Sequence, residues 1–133
     1  MAENIKKVTV HANATAPAVT PDALCPLVDV YESPDGSQTV LVAEIPGAAP
    51  NSTDVRVDKG VLTIAADAGG TEHDEKYVRT YTGLARGEYF RAFALSDEID
   101  RDKITASLSD GVLTVRLPRA EQAKTRKIEI KTE

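Results

Sequence analysis

Few side chains in this sequence could do covalent or metal chemistry. His11, His73 and Cys25 are its only histidines and its only cysteine. A tetrahedral zinc site takes four ligands, so these three fall short, and they are far apart along the chain. His73 sits in the acidic run Thr71-Glu72-His73-Asp74-Glu75 and reads as solvated. A serine nucleophile wants a strained Gly-x-Ser-x-Gly turn, and none is written here; Gly69-Gly70 lacks the following Lys-Ser/Thr of a phosphate cradle. No catalytic, cofactor or metal site is expected. Two constellations remain, and their chemistry is recognition. Arg91 alternates with Tyr89, Phe93 and Leu95, so its guanidinium heads for an apolar surface. There it needs a carboxylate or backbone partner, expected across a dimer interface. Ile128 and Ile130 straddle Glu129, and at two-residue spacing both point to one side of an extended segment.

The elements that must position these residues are strands. Gly60-Val61-Leu62-Thr63-Ile64 returns as Gly111-Val112-Leu113-Thr114-Val115, and each copy follows a turn-forming pair, Asp58-Lys59 or Ser109-Asp110. A glycine there allows φ > 0 at no steric cost, and the β-branched alternation after it suits a pleated, half-buried surface. Runs of five to eight residues cover 27–32, 39–45, 53–58, 61–65, 77–81, 88–95, 103–108 and 112–117, separated by turn signals such as Ser33-Pro34-Asp35-Gly36 and Pro46-Gly47. No amphipathic helix of four turns is written anywhere. The pattern predicts an all-β domain, two antiparallel sheets packed about 10 Å apart with apolar faces together.

Residues 1–24 mix Ala, Thr, Asn and Pro and read as a flexible N-terminal arm, in which Ile5, Val8 and Val10 are too brief a signal to choose between strand and helical turn. The sandwich is expected over 25–118, followed by a polar tail over 119–133 that ends in the Ile-x-Ile pair. At 133 residues this is one domain with a core rich in Val, Leu and Ile, since aromatic residues make up only 5%. A net charge of −5 argues against nucleic-acid binding, which needs a basic surface. No stretch reaches the roughly 20 apolar residues of a membrane span. A lone cysteine and a start without an apolar run lead to the expectation of a cytoplasmic protein.

Several of these segments, taken in order, resemble the small heat shock protein (Hsp20/α-crystallin) family. They are Val28-Asp29-Val30-Tyr31-Glu32, Ile45-Pro46-Gly47, Tyr89 to Leu95, Ala106-Ser107-Leu108-Ser109-Asp110-Gly111-Val112-Leu113, Leu117-Pro118 and Ile128-Glu129-Ile130. The resemblance spans roughly residues 26–131. It implies an immunoglobulin-like β-sandwich and an ATP-independent holdase that binds non-native client proteins as a homodimer or larger homo-oligomer. By position, Tyr77, Val78 and Tyr81 would lie on a strand exchanged between partners, and Arg91 would serve the same interface. The tail with Ile128 and Ile130 would dock in a groove on a neighbouring dimer, an added strand whose alternate side chains fill pockets. Val55, Val57, Ile64, Leu113 and Val115 are candidates to line that groove or to be plain core. A p23/CS-like co-chaperone or structural module docking on one folded partner is the alternative, and the Ile-x-Ile tail separates the two.

Overall fold

In a computed structural model, residues 6–12, 22–69, 75–83, 86–121 and 129–130 can be described. Nine strands form two sheets: β1 (Lys6–Val8), β2 (Val10–Ala12), β3 (Leu27–Glu32), β4 (Gln38–Glu44), β5 (Thr53–Asp58), β6 (Val61–Asp67), β7 (Glu88–Ala94), β8 (Thr105–Ser109) and β9 (Val112–Pro118). The first sheet runs β1-β8-β9-β4-β3 and the second β2-β5-β6-β7. Every pairing is antiparallel except that of β2 with β5, which is parallel.

The repeated pentapeptide builds the two halves in the same way. Asp58 pairs with Val61 and Ser109 with Val112, so each hairpin is closed by two residues. Lys59 and Gly60 have φ of 49° and 78°, and Asp110 and Gly111 have 49° and 77°, the twin positive values of a type I′ turn. Each turn also holds the end of the next strand in its own sheet. The Gly60 carbonyl accepts from Leu95 N–H at 2.7 Å and the Gly111 carbonyl from Ile45 N–H at 2.8 Å. Each copy therefore sets a three-strand order, β5-β6-β7 in one sheet and β8-β9-β4 in the other.

Between the layers lie Leu41, Ala43, Ile45, Val55, Val57, Leu62, Ile64, Leu113, Val115 and Leu117, all buried, as strict alternation along β4, β5 and β9 requires. The Tyr89 hydroxyl donates to the Pro46 carbonyl at 3.1 Å, which satisfies the one polar atom of an otherwise buried ring.

Three sequence expectations shift. The N-terminal arm contributes β1 and β2, which complete the edges of both sheets, so these residues join the sandwich. Residues 77–81, expected as a strand, are exposed and pair with no strand among the described residues. The strand expected from Lys103 begins at Thr105, since Arg101–Lys103 forms a 3-10 turn capped by Asp100, which accepts from Asp102 N–H at 3.2 Å.

Candidate functional site

A sandwich of two open sheets has four edges, and each open edge is a row of unpaired N–H and C=O groups able to bind an extended segment. Here the edges meet in two rims. One lies where β5 and β8 would be the outer strands. The other lies along β3 and β7.

The β5–β8 rim is bridged by a single segment. β1 pairs with β8 in the register Lys6 with Leu108, Lys7 with Ser107 and Val8 with Ala106. After Thr9 the chain crosses to the other sheet, and β2 pairs with β5 in the register Val10 with Val55, His11 with Arg56 and Ala12 with Val57. Val8 is buried, Val10 packs half-buried against the core, and Lys7, Thr9 and His11 face outward. Alternation thus sends the two valines inward, where they line a cleft together with Ile104 and Ala106. On the outer side Asp54 gathers two basic side chains: His11 Nε2 lies 3.5 Å from its carboxylate, and Arg56 Nε donates to it.

The β3 rim is open. β3 has a partner on one side only, β4, and along it Leu27, Val30 and Tyr31 are more than half exposed. Beneath it lies a cleft of about 220 Å³ bounded by Val30, Leu41, Phe93, Leu95, Ile99 and Leu117. Arg119 closes one end, reaching Glu32 at 3.7 Å and Glu98 at 3.3 Å. The chain entering β3 ties this rim to the other sheet: Leu24 N–H donates to the Glu88 carbonyl at 2.7 Å, and Phe90 N–H to the Leu24 carbonyl at 2.9 Å. Arg91 belongs to that tie. Its Nη1 donates to the Pro26 carbonyl at 3.0 Å, and its guanidinium lies 5.0 Å from the centre of the Phe93 ring. The partner required by Arg91 is thus a backbone carbonyl of its own chain.

Tyr77, Val78 and Tyr81 are 72%, 86% and 85% exposed, large apolar surfaces with no cover from this chain. Ile130 is 89% exposed, and Ile128 lies outside the described residues, as does His73. Val55, Val57, Ile64, Leu113 and Val115 are all at 0–1% exposure. They are core, the other of the two readings weighed for them. The repeat strands β6 and β9 are not rim strands but lie inside their sheets, because each hairpin puts its first strand, β5 or β8, on the outside. Sequence reasoning missed Val8, Val10 and Asp54; the alternation of Val8 and Val10 was the one available signal. Among the described residues no cluster of three His, Cys, Asp or Glu side chains could hold a metal, and no helix is long and apolar enough to cross a membrane.

The Hsp20/alpha crystallin family model matches residues 31–131, and this chain is a member of that family, whose proteins are non-enzymatic chaperones. It is 32% identical over 109 residues to small heat shock protein C4 of Rickettsia felis, a match that takes in 80% of this chain and 64% of that protein. The crystal structure of a small heat shock protein from Xylella fastidiosa, described as having a distinct high order structure, superposes with a TM-score of 0.63 at 36% identity, covering 80% of this chain and 96% of that one. Heat shock protein 16.0 of Schizosaccharomyces pombe gives a TM-score of 0.67 at 31% identity, over 81% and 99% of the two chains.

Proposed function

We propose that this chain is an ATP-independent holdase that binds partly unfolded proteins in the cytoplasm and limits their aggregation. It works as a homodimer linked into larger homo-oligomers. The observation that carries the reading is the pairing of an open, apolar β3 edge with an exposed apolar segment, Tyr77–Tyr81, that no strand of the same chain covers. Each needs what the other offers, and in a two-fold dimer each protomer gives its segment to the partner's edge. Arg91 supports this edge by fixing Pro26 at the start of β3, and so acts on the interface through the backbone.

Tails then link dimers. Burying Ile128 and Ile130 yields roughly 3–6 kcal/mol gross, and ordering about five residues costs about 1–2 kcal/mol each. One docked tail holds weakly, whereas two tails per dimer act at high effective concentration, so the assembly is stable yet exchanges subunits. Unfolded clients present apolar side chains and unpaired backbone, and exposed rims supply both complements.

The test is light scattering from a client heated or reduced without nucleotide. A several-fold molar excess of the chain suppresses the rise; no suppression at that ratio contradicts the proposal.

A further inference from the structure

The segment in the β5–β8 cleft is written like the tail. Lys7-Val8-Thr9-Val10-His11 and Lys127-Ile128-Glu129-Ile130-Lys131 follow one order: a basic residue, a β-branched aliphatic, a polar residue, a second β-branched aliphatic, a second basic residue. In the first of them the two aliphatics point into the cleft while backbone pairing reaches β8 before Thr9 and β5 after it. The terminal basic residue, His11, has its Nε2 3.5 Å from the Asp54 carboxylate. A tail laid in the same direction would bring Lys131 to the same carboxylate.

We propose that Lys7–His11 is a resident competitor for the tail, filling the cleft in cis so that Ile128 and Ile130 of a second copy enter only by displacing Val8 and Val10. This rests on the proposed function, in which tails link dimers, and takes the β5–β8 cleft as the place where a tail docks. The competition is balanced by two opposing effects. Each isoleucine carries one methylene more than the valine it replaces, which makes the tail the tighter ligand by about tenfold. The resident segment is tethered to its own cleft, and a short tether holds an effective concentration of about millimolar. A single tail at micromolar concentration therefore loses to the resident, and paired tails on an assembled dimer win. Assembly then has a threshold set by β1 and β2.

The experiment uses the full chain carrying Ile128→Ala and Ile130→Ala, so that its own tails leave the cleft, and a fluorescent peptide of residues 124–133. Adding Val8→Asp and Val10→Asp removes the competitor. The peptide is expected to bind about tenfold more tightly or better, because affinity is reduced by the fraction of clefts that stand open. A second variant traps the competitor: Lys7→Cys with Ser107→Cys, in a Cys25→Ser background, joins two residues that face each other across the β1–β8 pair. Oxidation is expected to abolish peptide binding, and reduction to restore it. Equal affinity for all forms, oxidised and reduced, would overturn the competition and leave tail docking standing. No binding to any form at millimolar peptide would overturn both.

Discussion

The two rims of the sandwich differ in what their own chain does for them. The β5–β8 rim is paired on both sides by β1 and β2, with Val8 buried beneath it, whereas the β3 rim has exposed Leu27, Val30 and Tyr31 and, among the described residues, no strand beyond it. An edge left open with apolar side chains needs a partner from another molecule; an edge closed by a short, polar segment can be reopened. On the proposed function the rims have separate duties: the open one would build the dimer, and the filled one would regulate what is built from dimers.

The largest effect should come from breaking the open rim. Tyr77→Asp, Val78→Asp and Tyr81→Asp together remove three apolar side chains that are about as exposed as side chains can be, so folding is untouched. At about 1.5–3 kcal/mol per buried side chain, dimerisation should weaken roughly a thousandfold or more, read by sedimentation. A dimer of unchanged strength would mean that this segment does not reach the β3 edge.

A smaller effect separates the two edges of the filled rim. At Gly111, φ is +77° and an added Cβ would meet the Pro46 Cα at 3.0 Å, which is backbone and cannot step aside. At Gly60, φ is +78° and the nearest atom is the tip of Arg101 at 3.2 Å, which can swing away. Gly111→Ala should cost about 3 kcal/mol of stability and Gly60→Ala about 1–2, measured by denaturant unfolding. Equal costs would show that the β8 side is no more rigidly braced than the β5 side.

The smallest effect lies beside the open rim, in the turn from β3 to β4. The Ser33 hydroxyl donates to the Asp35 carboxylate at 2.7 Å and Ser37 N–H at 3.0 Å, and these bonds hold its pKa at about 2. A depressed carboxylate contributes stability that is fully present above the usual aspartate value and is lost as the pH falls through about 2. Carbon-detected titration of Asp35 should show that low midpoint; an ordinary one would mean the turn leaves the β3 end loose.

Much of the sandwich could be read from alternation. The strand over 27–32 and that over 53–58 coincide in their bounds with β3 and β5; burial alternates strictly along β5, whereas β3, almost wholly exposed, is bounded by Pro26 and the Ser33-Pro34-Asp35-Gly36 turn. Alternation says nothing about neighbours. It could not tell that β6 and β9 lie inside their sheets, so Ile64, Leu113 and Val115 were open to either reading until the strand order settled them as core. β1 and β2 were missed for a related reason. Three residues carry almost no local signal, and their strand character comes from the waiting edges of β8 and β5, a tertiary cause. Tyr77–Tyr81 is the reverse case, a segment with the composition of a strand that pairs with no strand among the described residues. The need of Arg91 for a backbone or carboxylate partner was legible, but that Pro26 supplies it depends on how residues 24–26 cross between sheets.

The central claim, that the two rims build separate levels of the assembly, is tested most directly by native mass spectrometry of Ile128→Ala/Ile130→Ala beside the unaltered chain. The account predicts a large assembly for the unaltered chain and a dimer for the variant, with the dimer itself intact. An unchanged mass, or a fall straight to monomer, would contradict it.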